Sequence, residues 1–454
     1  MASIVKRGKK YSVIYYAKIN GENKQQWETY NSYTEAKKRK SEVEHEQTEN
    51  IFIPNQKKTV RELMEDFVNI YGEKNWSLST YSANIGLIDN YVNPLIGDDQ
   101  IQKVTPLSID NYFKRLKKTE AVDTPYRKAR SKYVGNSVIE NCYKILRCAF
   151  GQAVKWEMIK RNPFELVDKP KIKYKKRDIW KAEDIRKALN ECTNSRLYIA
   201  MNLSFACSLR LGEILGLQKS NVHVTDKDIE DDNAYVFIDK ELQRASKDAI
   251  DKLDSKDIIF KFPTVNSNTK TQLVLKTPKT ESSIRKVWLP RTVAYILQKY
   301  IKRQEELKDY LQEEYYDYDL LISLASGRPY EERLITKSFN KLKDKSGLPN
   351  VVFHSLRHSS TTYKLKINNG DLKATQSDTG HAEIDMITKV YAHILDEDRK
   401  VNAQRFDDEF YKLDNPDLRN VQVPDNNSFD LNGLIHTIQN SPELAETLKK
   451  LLTN

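Results

Sequence analysis

The sequence is poor in the residues that build redox and metal sites. Among 454 residues there are four cysteines and seven histidines. Cys142, Cys148, Cys192 and Cys207 sit inside apolar helical patterns and make no C-x-x-C pair. They read as free core thiols in a reducing compartment, not as a disulfide framework. No apolar run approaches membrane length, and the first residues carry no apolar signal region. The expectation is a cytoplasmic protein that does not enter a membrane. Negative charge is also in deficit: Lys plus Arg is 75 against 64 for Asp plus Glu, a net charge of +11. That surplus favours a polyanionic partner, although lysine also solubilises a surface. The length allows two to four domains.

The few histidines are concentrated. Four of the seven lie between His354 and His393, in the pattern His354-Ser-Leu-Arg357-His358, then Gly380-His381, then Tyr391-Ala-His393. On a helix, His354, Arg357 and His358 at i, i+3 and i+4 share a face. His381 and Tyr391 are separated by nearly three helical turns, so one helix could bring both to one side. As a metal site the set is poor, because an arginine cannot lose its proton and no carboxylate or cysteine interleaves. No metal or cofactor is therefore expected. An arginine between histidines does suit a phosphate: its planar fork donates bidentately and stays charged. A histidine beside it can exchange a proton near neutral pH, and a nearby tyrosine could act as a nucleophile.

A second arginine stands upstream in Ala206-Cys-Ser-Leu-Arg210-Leu-Gly-Glu213-Ile-Leu-Gly-Leu217. Taken alone, Arg210 and Glu213 could be an ordinary i, i+3 pair on an amphipathic helix expected over 195–217. Between the two regions lies Thr277-Pro-Lys279-Thr-Glu-Ser-Ser-Ile-Arg-Lys-Val-Trp-Leu-Pro290, with a β-turn-β shape. By chemistry alone any of Lys270, Lys276, Lys279 or Lys286 could serve there.

In this order the motifs resemble the tyrosine recombinases of the phage integrase family, of phage or conjugative-transposon type. That pattern is an Arg followed by a Glu, a hairpin Lys, His-x-x-Arg-His, Gly-His and a late Tyr-x-His. The resemblance covers about the C-terminal half of the chain and selects Lys279 among the lysines. Departures are Ser208 where glycine is usual, Ser355 where aspartate is common, and Thr379 in place of leucine. None removes a catalytic group.

The resemblance implies a site of Arg210, Lys279, His354, Arg357, His381 and Tyr391. Tyr391 would attack a DNA phosphodiester, form a 3′-phosphotyrosyl bond and free a 5′-hydroxyl. Arg210 and Arg357 would clamp the nonbridging oxygens, Lys279 would protonate the leaving oxygen and His354 would exchange protons around Tyr391. His381 would hydrogen-bond the phosphate, Glu213 would orient Arg210, His358 would support the site, and His393 would be structural. The implied partners are double-stranded DNA at core and arm sites, a homotetramer in the synaptic complex, and an accessory DNA-bending or excision factor. The other enzymatic reading is a type IB topoisomerase; the non-enzymatic one is a catalytically inactive DNA-binding regulator.

The expected architecture is multidomain and mainly α, with small β-sheets. Residues 1–54 read as a β-hairpin or sheet plus a helix. Asn20-Gly21 is the hairpin turn, and Ser32-x-x-Glu35 opens a charged helix. Its basic sheet suits a DNA groove or is a solvated hairpin; the resemblance favours arm-site binding. Residues 57–168 read as an all-α unit with helices opening at Thr59-x-x-Glu62 and stopping at Pro94 and Gly97. By resemblance this is a core-binding domain, with Lys114, Arg115, Lys117, Lys118, Arg127, Lys128, Arg130 and Lys132 as candidate phosphate contacts. Residues 169–177 form a basic linker suited to the phosphate backbone. Residues 178–412 should be a mixed α/β catalytic domain, including a helix over 401–413. A tail of 413–454 with an amphipathic stretch follows, either an intersubunit clip or a helix on its own domain.

Overall fold

A computed structural model describes residues 2–19, 22–49, 52–53, 57–123, 128–129, 131–170, 180–264, 266, 268–280, 283–367 and 403–411. The chain forms two compact units, Met1–Tyr174 with Asp248–Asp254, and Lys175–Lys247 with Ser255–Asn454. Helices dominate, and the strands form three small antiparallel sheets.

The first unit begins with β1 (Ser3–Arg7), β2 (Lys10–Ile19) and β3 (Glu22–Tyr30), in spatial order β1-β2-β3. Gly8 takes φ +59° between β1 and β2, a left-handed conformation that glycine adopts without steric strain. The period of two sends Val13, Tyr15 and Ala17 to one face, where they bury against Ala36 and Val43 of α1 (Tyr33–Thr48). Ser32 caps α1 by accepting the Glu35 N–H at 3.2 Å. The predicted turn at Asn20 and Gly21 lies outside the described residues.

Glu28, opposite Val13, also points to the helix side. Its carboxylate accepts from the hydroxyls of Tyr15 (2.5 Å) and Tyr30 (2.6 Å) and from Arg39 Nε (2.8 Å) and Nη2 (3.1 Å) of α1. Burial alone would raise the Glu28 pKa. The hydrogen bonds from Arg39 and the two tyrosines outweigh it and hold the carboxyl down at about 2. The opposite face leaves Val5, Tyr16 and Trp27 exposed, with Arg7 stacked 4.3 Å over the Trp27 ring.

Next come α2 (Val60–Asp66), α3 (Glu73–Asn75), α4 (Leu78–Leu87), α5 (Asn93–Ile96), α6 (Pro106–Leu116) and α7 (Asn136–Lys155). Thr59 and Glu62 close a reciprocal capping box ahead of α2, with Thr59 N–H to Glu62 at 2.7 Å and Glu62 N–H to Thr59 at 3.3 Å. Pro94 does not end its helix as expected. A π turn over Ile88–Val92 widens the ladder, and the helix passes into α5 with Pro94 in its first turn. A proline lacks only its own N–H, and that donor is unpaired at a helix start in any case. Phe67, Tyr112, Phe150 and Phe164 fill the core of this helical part. Lys114, Lys117, Lys118, Lys128 and Lys132 are exposed. Arg115, also exposed, donates to the Leu95 carbonyl at 2.8 Å. Arg127 and Arg130 lie outside the described residues. So does most of the predicted basic linker, but its first lysine, Lys169, pairs with the buried Glu140 at 2.7 Å.

The second unit holds α8 (Ala182–Asn190), α9 (Ser195–Ala206) and α10 (Leu211–Gly216), then β4 (Val222–His223), α11 (Asp226–Glu230) and β5 (Tyr235–Ile238). In chain order there follow β6 (Glu241–Ser246), α12 (Lys247–Lys252), β7 (Ile258–Lys261), β8 (Thr271–Lys276), β9 (Arg285–Trp288), α13 (Arg291–Leu311), α14 (Glu332–Lys345) and α15 (Ser355–Ile367). One sheet has the order β4-β5-β9 and another β6-β8-β7. The residues around Lys279 are thus not the turn of a simple hairpin: β8 and β9 flank them but pair in different sheets. Gly216 ends α10 against β6, where an added Cβ would sit 2.7 Å from the Leu242 nitrogen.

The apolar helix α9 lies in the core of this unit. Residues 403–411 return to the same core, where Phe406 and Phe410 pack on Phe205 at ring distances of 5.0 and 5.1 Å. Asp407, fully buried, accepts the Thr292 N–H at 3.1 Å in the first turn of α13, where a helix favours negative charge. The expected helix over 401–413 is described only at 403–411, and the tail of 413–454 lies outside the described residues.

The Glu28 network makes the N-terminal sheet acid-sensitive. A carboxyl held below its ordinary value of about 4.3 adds stability above that value, which is lost as pH falls towards about 2. Hydrogen exchange of the full chain should show protection of residues 22–30 declining between about pH 4 and pH 2. Glu28→Gln should start less protected and lose that pH dependence. Equal acid sensitivity in both proteins would place the titrating group elsewhere.

Candidate active site

The long helix expected over 195–217 breaks at Cys207–Arg210, and the break creates the site. Ser208 adopts φ +54° although it carries a side chain, a conformation costing about 1–2 kcal/mol. It is fully buried, and its hydroxyl lies 2.6 Å from that of Ser360 in α15. Its carbonyl accepts from Arg357 Nη1. Two residues on, Arg210 is the N-cap of the short helix α10, and Glu213 at N3 reaches back to the Arg210 N–H at 2.9 Å.

Glu213 is 1% exposed, and its carboxylate is the centre of a charge cluster. Oε1 accepts from Arg210 Nη1 at 2.7 Å and from Arg285 Nη1 at 3.3 Å. Oε2 accepts from the Arg210 backbone N–H at 2.9 Å and from Arg285 Nη2 at 3.0 Å. Burial alone would raise this carboxyl, but Arg285, by charge and hydrogen bonding, and then Arg210 pull it down to about 2. Arg357, 1% exposed, is lowered to about 9, first by burial, then by the Arg210 charge, with Glu213 opposing. It remains cationic at neutral pH.

Three guanidinium groups thus surround one carboxylate. A buried surplus of like charge is unfavourable until an anion joins it. The Arg210 side chain, about one-third exposed, is the outward-facing member.

His354 and His358 are exposed, their rings edge to face at 5.0 Å. Arg357, between them in sequence, turns inward, so the three do not share one face. The reason is the interior partner, the Ser208 carbonyl, which draws the guanidinium under α15. Lys279 is exposed in the loop between β8 and β9, and no hydrogen bond or ion pair among the described residues joins it to the arginines. Of the other candidate lysines, Lys276 is buried and paired with Glu241 at 2.8 Å. Lys286 lies over the rings of Tyr235 and Trp288 at 4.5 and 4.8 Å. Lys270 is exposed. His381, Tyr391 and His393 lie outside the described residues. No group of three or more His, Cys, Asp or Glu side chains placed to hold a metal occurs among the described residues.

Arg285 was not singled out in the sequence. Its signal was there: it shares strand parity with the buried Val287, so an arginine occupies an inward position of β9.

A match to the phage integrase family model spans residues 255–398, taking in Lys279, the His354–His358 motif and Tyr391. The chain is similar to this family over that stretch. It is 23% identical over 325 residues to the ICEBs1 integrase of Bacillus subtilis, covering 71% of this chain and 76% of that protein. It is 24% identical over 337 residues to a XerC-like tyrosine recombinase of Caldanaerobacter subterraneus subsp. tengcongensis, covering 72% and 76%. Among solved structures, the Tn1549 transposon integrase (residues 82–397), bound to a circular intermediate DNA, shares the fold. The TM-score is 0.53 at 18% identity, over 77% of this chain and 99% of that one.

For an integrase-family domain, the surplus of arginine charge has a measurable consequence. Sulfate, a tetrahedral dianion, should stabilise the folded protein by filling the cluster. At ten times its Kd the gain is about 1.4 kcal/mol, a rise in Tm of about 3–6 °C. Matching the ionic strength with chloride isolates this effect from screening. Arg357→Met should lose most of the rise; an equal rise in both proteins would show that sulfate binds elsewhere.

Proposed function

We propose that this integrase-family chain integrates or excises a mobile element by cleaving and rejoining DNA through a 3′-phosphotyrosyl bond on Tyr391. The supporting observation is the Glu213 cluster: one buried carboxylate holding two arginines beside a third, on a chain whose family match reaches Tyr391. The Tn1549 integrase, which shares the fold, is known in complex with circular intermediate DNA and with transposon right end DNA. The ICEBs1 integrase is a relative by sequence.

In the proposed reaction the Tyr391 oxygen attacks phosphorus and the bond to the 5′-oxygen breaks. Arg210 and Arg357 donate to the nonbridging oxygens, where preorganised charge is most effective in the transition state. Lys279 gives its proton to the departing 5′-oxygen. His354 accepts a proton from Tyr391, whose ordinary pKa near 10 makes it a weak nucleophile at neutral pH, and His381 supports the phosphate. A 5′-hydroxyl from the partner strand then attacks the phosphotyrosine and reverses these transfers. The phosphodiester energy is kept in the protein–DNA bond, so no nucleotide is consumed.

The assignment also includes a homotetramer on two duplexes and an accessory DNA-bending or excision factor. Double-stranded DNA would be held at core sites by the helical unit of 57–168. Arm sites would be held by the outer face of the N-terminal sheet, where Arg7, Tyr16 and Trp27 stand exposed on a basic unit. Site specificity lies there and in the core-site contacts.

A nicked suicide duplex carrying the junction sequence that flanks the element tests the chemistry. Wild-type protein should form an adduct that survives denaturing electrophoresis. Tyr391→Phe should form none while binding the duplex within a few-fold of wild type. Arg357→Ala should slow formation about 10²–10³-fold. An adduct persisting in Tyr391→Phe would move the nucleophile to another residue. Efficient relaxation of supercoiled DNA without strand exchange between two sites would favour the topoisomerase reading.

Removing residues 1–55 tests the division of labour. The truncated chain should still cleave a short core duplex but assemble less well on DNA with arm sites, since two contacts on one chain raise local concentration. Its salt dependence on the longer DNA should be shallower as phosphate contacts are lost. A folded truncation that fails on the short duplex would make the N-terminal unit part of the catalytic assembly.

A further inference from the structure

We propose that Ser208 and Ser360 are positioning residues for cleavage: their paired hydroxyls fix α15 against the turn after α9, so that Arg357 and Arg210 keep one spacing. This rests on the reading of those two arginines as the phosphate clamp.

The geometry carries the argument. Ser208 follows the end of α9, a place where glycine is the ordinary residue because a left-handed backbone costs it nothing. The turn is already closed on α9: the Leu203 carbonyl accepts from the Cys207 N–H at 3.2 Å and from the Leu209 N–H at 3.3 Å. Glycine would serve that turn without strain, so a serine at φ +54° calls for a gain elsewhere. The contacts of Ser208 supply it. Ser208 and Ser360 are both fully buried, and their hydroxyls lie 2.6 Å apart across 152 residues of sequence. The Ser208 carbonyl accepts from Arg357, which stands one turn before Ser360 on α15. One residue therefore holds two successive turns of α15, by its side chain and by its main chain. The carbonyl holds the tip of a long side chain. The hydroxyl bond joins two short side chains, and so fixes the helix itself. Arg210 stands two residues further on, as the N-cap of α10. The same turn thus carries one arginine and grips the helix that carries the other. A phosphate bound by both senses their separation, and a displacement of about 1 Å can slow a reaction about 10²-fold.

Glycine separates this role from stability. The test uses the full chain on the nicked suicide duplex at saturating DNA, with the fraction folded taken from thermal melts. Ser360→Ala leaves Ser208 strained and its buried hydroxyl unpaired. It should lower Tm and slow single-turnover adduct formation about 10-fold. Adding Ser208→Gly removes both hydroxyls and the strain together. This double variant should regain a Tm within about 2 °C of wild type. Its adduct formation should nevertheless stay about 10-fold slow, with Kd within threefold of wild type. A pair that only stabilises the fold would behave differently, its rate returning with Tm. Ser208→Gly alone keeps the turn, should be slowed alike, and serves if the double variant does not fold. The proposal is overturned if these variants cleave within threefold of wild type once corrected for folding. It is equally overturned if Kd weakens as much as the rate, which would make the pair a support for duplex binding. A wild-type protein that forms no adduct on this duplex would instead refute the underlying clamp assignment.

Discussion

The second unit depends on a carboxylate that cannot be left alone. Glu213 is buried, and an isolated buried carboxylate is so unfavourable that it would take up a proton. Two arginines from distant parts of the chain prevent that, one at the N-cap of α10 and one on β9. Their convergence ties a helix start to a sheet strand, and removing either partner of such a group costs about 3–5 kcal/mol. The cluster is therefore a structural tie and a source of positive potential together.

The two arginines already exceed the one carboxylate, and Arg357 adds a further positive charge to the same buried region. It is held by the carbonyl of Ser208, whose strained backbone turns that oxygen towards α15. Strain of this kind persists only where the surroundings over-determine it. Here the surroundings are the Ser208–Ser360 hydroxyl contact and the break between α9 and α10. Arg357 is fixed in place ahead of any ligand, the condition under which electrostatic stabilisation is most effective.

Much of the architecture was legible from local signals. The capping pairs Ser32–Glu35 and Thr59–Glu62 mark helix starts that the structure contains, since cap chemistry is decided within four residues. Pro94 misled because a π turn absorbs a proline that a regular ladder would reject. The break after Ala206 was hidden because its residues are apolar and only the tertiary contact to Ser360 holds the left-handed Ser208. The inward turn of Arg357 depends on the same carbonyl and could not be read from i, i+3, i+4 spacing. Arg210 and Glu213 were recognised as a pair from motif order, whereas Arg285 required knowing which face of β9 is interior. The lysine was narrowed differently: Lys276 and Lys286 each have a structural partner, a fact of packing that no local pattern contains.

The N-terminal sheet separates two duties by the parity of its residues. Odd positions of β2 face α1 and, with the Glu28 network, supply the cohesion of a small core. On the other face Tyr16 and Trp27 stay exposed, although Ser12 and Ile14 beside them are buried. Substitutions at exposed positions of that face, such as Tyr16, should therefore cost little in folding. A lineage carrying this protein can alter those exposed positions one residue at a time without first acquiring compensating changes beneath them. Those exposed positions are free to drift, while the inner face stays under selection for cohesion.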